Sequence, residues 1–171
     1  LLDWSEQSVD FLKSNSGKSG QGMPVVRNAK FYFRPGFCWT NVLQPTNDES
    51  KYIKCREKAR GVHDVASMSL FPTTDNLTAN YLTVLLNSSF IYKYLKAFIN
   101  DSVNLQINDF RQFPIIVPAP AQLKESEKLF DRAVSIRKRA IAGSLEPNDE
   151  KAELALVQKD VETFVRNLYG L

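Results

Sequence analysis

The sequence predicts an α+β fold, with strand signals gathered between residues 23 and 72 and helix signals dominating after residue 76. Three observations carry that expectation. Aromatic and β-branched runs in the first segment are cut by Pro35-Gly36, a pair suited to a tight reversal between strands. Residues 76–100 place apolar side chains at spacings of three and four on nearly every face, the pattern of a buried helix. Beyond Pro120, two amphipathic stretches are parted by Gly143 and Pro147, which predicts an antiparallel helical hairpin.

Taken in order, residues 1–12 hold Trp4, Val9, Phe11 and Leu12 among polar neighbours and give only a weak signal. Ser14 to Gly22 lacks any apolar residue and predicts a solvated, mobile loop. Its Gly17-Lys18-Ser19 matches only the end of a phosphate-binding P-loop, because Leu12 stands where the motif's first glycine is required. Val25-Val26, Phe31-Tyr32-Phe33 and Phe37 to Val42 predict strands, the last two paired as a hairpin with Arg34 and Trp39 near its tip. Gln44 to Gly61 is polar and, from position 51, sets Lys51, Lys54, Arg56, Lys58 and Arg60 against Glu57 alone. That run is either a solvated face or a loop that tracks phosphates.

Residues 62–72 suggest extended packing closed by Pro72. Within 76–100, Asn87-Ser88-Ser89 supplies helix-capping residues and predicts two helices meeting at a bend. The next segment opens with alternation, Val103, Leu105 and Ile107 against Asn104, Gln106 and Asn108, which predicts a strand whose polar face meets water or DNA. In the last helix Leu154, Val157, Val161, Phe164 and Leu168 form a narrow seam suited to a partner helix. The composition therefore divides at residue 120, into an α+β unit over 1–120 and the helical hairpin over 121–171.

With 171 residues, 43% apolar and 24% charged, the chain reads as one globular domain with a helical appendage. No run approaches the roughly 18 apolar residues of a membrane span, and a reduced cytoplasmic setting fits the two cysteines and single histidine, too few for a four-ligand zinc site. Net charge is +3, but residues 1–60 carry 10 Lys/Arg against 6 Asp/Glu, whereas 121–171 carry 9 of each. Attraction for phosphate is expected in the first third. The opening Leu1-Leu2-Asp3-Trp4 has neither an initiator methionine nor a signal pattern, so the sequence reads as part of a longer polypeptide.

The stretch FYFRPGFCWT, Phe31 to Thr40, resembles the FYF(R/K)PG-x-x-W(S/T) segment of target-recognition domains in bacterial DNA adenine methyltransferases. Those families are the fused type IIG restriction-modification enzymes, the methyltransferases of phage-exclusion systems and, more remotely, type I specificity subunits. Later segments follow in the same order. His63 to Pro72 is similar to F-D-V-A-G-x-S-I-F-P, with His63 in place of the aromatic residue and Ser67 in place of glycine. Tyr81 to Leu95 is similar to Y-L-x-x-L-L-N-S-x-x-x-x-Y-x-L, and the segment closing on Phe113-Pro114-Ile115 and Pro118 to x-x-N-F-Q-V-x-D-I-x-x-L-P-I-P-x-P. The terminus resembles I-D-x-L-V-Y-x-L-Y-G-L, with Glu162 for the aspartate and Arg166 for the tyrosine.

This resemblance spans residues 28–171. It implies a twisted, mainly antiparallel sheet from residues 23–72 and 103–117, packed on buried central helices and followed by the hairpin as a spacer or docking arm. It also implies sequence-specific recognition of double-stranded DNA within a larger methyltransferase or restriction-modification enzyme of bacterial defence. S-adenosylmethionine and the methyl transfer would belong to an upstream domain of the same polypeptide.

No cofactor is expected in this chain, which has neither a glycine-rich cofactor loop nor an Asn-Pro-Pro-Tyr-type motif. His63, Asp64 and Ser67 are too close in sequence to suggest a catalytic triad. Reading DNA needs no catalytic group: Lys and Arg hold phosphates, and Arg, Lys, Asn and Gln read base edges. Candidate contacts are Lys18, Gln21, Arg27, Lys30 and Arg34, the basic run Lys51, Lys54, Arg56, Lys58 and Arg60, and Asn104 and Gln106. Trp39 either stacks on DNA or belongs to the core. The competing class is a protein-interaction module with no DNA role, its basic loop being only a soluble surface.

Overall fold

Strand β1, Gly36–Thr40, is the centre of the sheet: Phe37, Cys38 and Trp39 are buried on its two faces and Thr40 at its end is exposed. In the computed structural model, which describes residues 3–21, 23–26, 28–43, 52–58, 60–62 and 67–171, β1 lies between β2, Arg56–Lys58, and β3, Ser67–Leu70. Both pairings are antiparallel: Gly36 faces Lys58 and Cys38 faces Arg56 on one side, while Phe37 faces Leu70 and Trp39 faces Met68 on the other. The fold is therefore α+β, with a small antiparallel sheet.

The expected hairpin is not formed. Asn28 takes a left-handed conformation (φ 54°) and starts a short 3-10 turn, Ala29–Phe31, so Phe31-Tyr32-Phe33 curl before the sheet instead of joining it. Their rings gain burial from other aromatic rings, which explains why aromatic content alone misplaced them in a strand. Arg34-Pro35-Gly36 leads into β1 without reversing the chain. Val25-Val26 also forms no strand, and the Val26 N–H donates to the Ser16 hydroxyl at 2.9 Å.

The alternation at residues 103–107 gives one isolated bridge, Val42 with Asn104, rather than a strand. Leu105 is buried while Val103 and Ile107 are exposed. The reason is local: the Asp109 carboxylate accepts from the Gln106 N–H at 2.7 Å and draws residues 107–110 into the short helix α4, Ile107–Phe110. The sheet thus stops short of 103–117, and of much of 23–72.

The remaining helices after residue 76 follow the sequence closely, whereas the first forms where the sequence carried only a weak signal. Helix α1, Glu6–Asn15, is capped by Ser5 and has no buried residue. The central apolar segment forms α2, Ala79–Leu86, and α3, Ser89–Tyr94, running into a π turn at Leu95–Ile99. Helices α5, Pro120–Ile141, and α6, Pro147–Tyr169, make the C-terminal hairpin, with Gly143 in left-handed geometry at the turn. Three ion pairs, Arg132–Asp160, Arg137–Glu150 and Arg139–Glu153, link its two helices at the surface.

The hairpin is part of the packed core. It packs on α2 and α3, and Leu129, Ile136, Val157, Val161, Phe164 and Leu168 join one core with Trp39, Tyr81, Leu85 and Ile91. The compositional change at residue 120 is not a break in packing. The bend between α2 and α3 locks the layers together. The Asn87 amide accepts from the Cys55 N–H and donates to the Cys55 carbonyl, both at 2.7 Å, acting as a one-residue strand partner beside β2. Glu162 of α6 accepts from the Ser89 N–H (2.9 Å) and hydroxyl (2.7 Å) at the start of α3, and Gln158 donates to the Asn87 carbonyl at 2.9 Å.

Two tyrosines fasten the linker between α4 and α5: Tyr81 donates to the Ile116 carbonyl and Tyr169 to the Pro114 carbonyl, each at 2.7 Å. Burial pushes the Tyr169 phenol up to about 12 from its ordinary 10, with a smaller push from Tyr94. Burial raises Tyr81 in the same direction. Both phenols are thus neutral in the fold when the unfolded chain has begun to ionise, so their contribution to stability is constant below pH 10 and is lost as pH rises from there to about 12. A thermal-unfolding series through this range should show that fall, and Tyr169→Phe should make it shallower, with Tyr81 and the buried Cys55 thiol still contributing, while lowering the neutral-pH midpoint by removing the bond to Pro114. A Tyr169→Phe slope equal to that of the unsubstituted chain would contradict the assignment.

Candidate nucleic-acid interface

Phe31 and Phe71 bring three of the expected cations together. Their rings stack with centroids 5.1 Å apart and an interplanar angle of 16°. Lys30 Nζ lies 5.2 Å and Arg34 Cζ 5.5 Å from the Phe31 centroid, while Lys58 Nζ lies 5.6 Å from that of Phe71. Cations are drawn to the negative face of an aromatic ring, so the pair holds long, flexible side chains near one place. The Phe33 N–H donates to the Gly61 carbonyl at 3.0 Å, and Lys58 Nζ donates to the same oxygen at 2.8 Å. These two bonds tie the turn carrying exposed Arg60 against the segment carrying Lys30 and Arg34.

The roles inside this cluster differ. Lys30, Arg34 and Arg60 are exposed and able to reach phosphates. Lys58 is 8% exposed and braces the turn from within. Beside the cluster, Phe33 has an unusual left-handed backbone (φ 60°) and remains 47% exposed. Trp4 stands edge-on to it, with centroids 5.4 Å apart and planes at 75°. The Asp3 carboxylate fixes the backbone there by accepting from the Ser5 N–H at 2.9 Å. The Ser8 hydroxyl, followed by the Ser5 groups, holds its pKa below the usual carboxylate range.

The other expected contacts lie elsewhere. Trp39 is 0% exposed and donates its indole N–H to the Leu105 carbonyl at 3.2 Å, so the core alternative describes it and it offers DNA no surface. Asn104 and Gln106 are exposed, but Asn104 pairs with Val42 at the opposite end of β1 from Arg34. At the usual rise per strand residue the four steps from Gly36 to Thr40 put those ends about 13 Å apart. Lys18 is exposed in the turn after α1, where its ammonium donates to the Asn15 side chain at 3.3 Å. Arg27 and Lys51 fall outside the described residues, as do His63 and Asp64.

Lys54 and Arg56 flank Cys55 on the side held by Asn87, and Arg56 borders a groove of about 970 Å3 between β2, α2 and the α5–α6 hairpin. Leu129, Ala133, Leu154 and Val157 line its apolar floor. Burial pushes the Cys55 thiol up, with the nearby Cys38 adding to the shift, which leaves a protonated and poorly nucleophilic sulfur. Among the described helices none is long and apolar enough to cross a membrane.

The sequence pointed to the cations but missed the rings that organise them. The FYF run and Phe71 were visible, yet their meeting depends on the antiparallel return of β3 beside β1 and on two backbone conformations that residue type does not announce. No protein-family model matches the chain, and no curated protein matches it either.

Proposed function

We propose that this chain recognises double-stranded DNA, as the target-recognition part of a larger S-adenosylmethionine-dependent DNA adenine methyltransferase or restriction-modification enzyme. The observation that carries this reading is the placement of exposed Lys30 and Arg34 over Phe31 of the Phe31–Phe71 stack, with exposed Arg60 next to Gly61, which is bonded to the same segment. It supplies phosphate-binding charge on a surface whose geometry is fixed before DNA arrives, which lowers the ordering cost of binding. The resemblance of the FYFRPG segment supports the assignment to DNA. Under this reading, methyl transfer belongs to a catalytic domain outside these residues.

The test is fluorescence anisotropy with mixed-sequence duplex DNA over a salt series, comparing the chain with a Lys30→Ala, Arg34→Ala, Arg60→Ala variant. Loss of three phosphate contacts should weaken binding at least tenfold at low salt and reduce the salt slope by roughly three. A variant with Lys124, Lys128 and Lys159 changed to Ala removes equal charge from the hairpin and should bind nearly normally. Equal losses in the two variants would reduce the attraction to net charge and remove the basis for an interface at the stack.

The groove between β2 and the hairpin favours a second reading, a protein-interaction module without a DNA role. Its apolar floor and mixed rim of Arg56, Glu57, Lys138, Glu150 and Lys151 suit a protein surface better than a phosphate backbone. Absence of salt-dependent DNA binding would favour it.

A further inference from the structure

We infer that Trp4 and Phe33 form an aromatic notch that receives one unstacked nucleobase of the bound DNA, an inference that rests on the DNA-binding reading above. Both rings are substantially exposed and their planes stand 75° apart, so they make two walls of an open corner. A planar base can stack on one wall with its edge against the other. Every base offers such a face, which makes the contact tolerant of sequence.

The backbone supports a role in binding. Phe33 adopts φ 60°, a conformation disfavoured for a bulky L residue, yet its ring is not spent on filling the core. Strain of this sort persists where surrounding contacts over-determine it, and the bond from its N–H to the Gly61 carbonyl is one such contact. Trp4 is set beside it by the Asp3–Ser5–Ser8 hydrogen bonds ahead of α1 and also lies edge-on to Tyr32, centroids 6.2 Å apart. Lys30 and Arg34 adjoin the corner through the same turn, placing phosphate-binding charge next to a stacking surface.

A mispaired base costs less to draw out of the duplex than a paired one, so the notch should favour it. The experiment titrates the chain with two duplexes of one sequence, one fully matched and one carrying a single mispaired 2-aminopurine, reading anisotropy and 2-aminopurine fluorescence. The mispaired duplex should bind about fivefold more tightly or better, with its fluorescence changed by stacking on the rings. Trp4→Ala and Phe33→Gly should each erase that preference, bringing the mispaired duplex to the affinity of the matched one. Phe33→Gly relieves the left-handed strain, so its thermal midpoint should not fall, which separates loss of the ring from loss of the fold. Equal binding of both duplexes by the unsubstituted chain, or a preference that survives both substitutions, would overturn the notch and leave the cationic interface standing. No salt-dependent binding of either duplex would overturn both.

Discussion

Trp39→Ala is expected to lower the unfolding free energy by about 3–5 kcal/mol, the range for truncating a fully buried large aromatic. Trp39 has no solvent exposure and sits against Phe110, with ring centroids 3.8 Å apart; Phe37 lies 6.2 Å away on the same strand face. Phe110 in turn meets Phe113 edge-on at 5.5 Å, so the indole anchors a chain of rings that joins β1 to α4. Truncation leaves a void that these rings can only partly fill. It also strands the Leu105 carbonyl, which accepts the indole N–H inside the core. Trp39→Phe separates the two effects, since it keeps most of the apolar volume and removes the donor; about 1–2 kcal/mol is expected. Urea unfolding with the slope held common would measure both. A loss below about 1 kcal/mol for Trp39→Ala would be irreconcilable with a packed core position.

Trp39 also illustrates what the sequence disclosed and what it withheld. Its place at the end of an apolar run allowed either a DNA-stacking or a core role, and only the return of Leu105 over β1 decides between them. The helices were legible because their signals are local. Asn87-Ser88-Ser89 reads as a capped bend, and in the fold Ser88 does cap α3 through the Ile91 N–H at 3.3 Å. Pro120 and Pro147 stand at the first turns of α5 and α6, and the seam of α6 is the face that enters the core. The strands were far less legible, because each pairing joins residues distant in sequence: β3 crosses β1 some thirty residues after it, and Arg56 of β2 reads locally as a charge in a loop. The alternation at 103–107 pointed to a strand, yet a single carboxylate at Asp109 diverts the chain into a helix.

The candidate interface follows the same division. The cations were visible as a charge imbalance in the first third, but which of them converge was not. Lys58 counts with its basic neighbours in the sequence, whereas the fold uses it to hold Gly61. Asn104 and Gln106 share a polar face in a sequence pattern, but they lie at the end of β1 remote from Arg34. The FYF run was assigned to a sheet on ring content, although its rings serve the surface beside the sheet.

Gly36→Ala is the substitution expected to disturb fold and interface together. A Cβ on Gly36 would lie 2.4 Å from the Leu70 carbonyl oxygen and 2.9 Å from Cδ1 of the Phe71 ring. The carbonyl belongs to the β3 backbone and Leu70 is paired with Phe37, so it cannot turn aside without parting β1 from β3. The cost should be about 3 kcal/mol, at the upper end for overpacking, read as a drop in the urea midpoint. Gly143 supplies the comparison: it is left-handed at the hairpin turn, but a Cβ there would meet no atom within 4 Å, so Gly143→Ala should cost only about 1 kcal/mol from backbone preference. The two also differ in function. Relief of the Gly36 clash moves Phe71, the ring on which Phe31 stacks and beside which Lys58 rests, so Lys30 and Arg34 lose their common support. Under conditions where both variants remain folded, Gly36→Ala should weaken duplex DNA binding severalfold with a shallower salt slope, while Gly143→Ala should bind as the unsubstituted chain does. Undiminished DNA binding by a folded but destabilised Gly36→Ala chain would move the interface away from the Phe31–Phe71 stack.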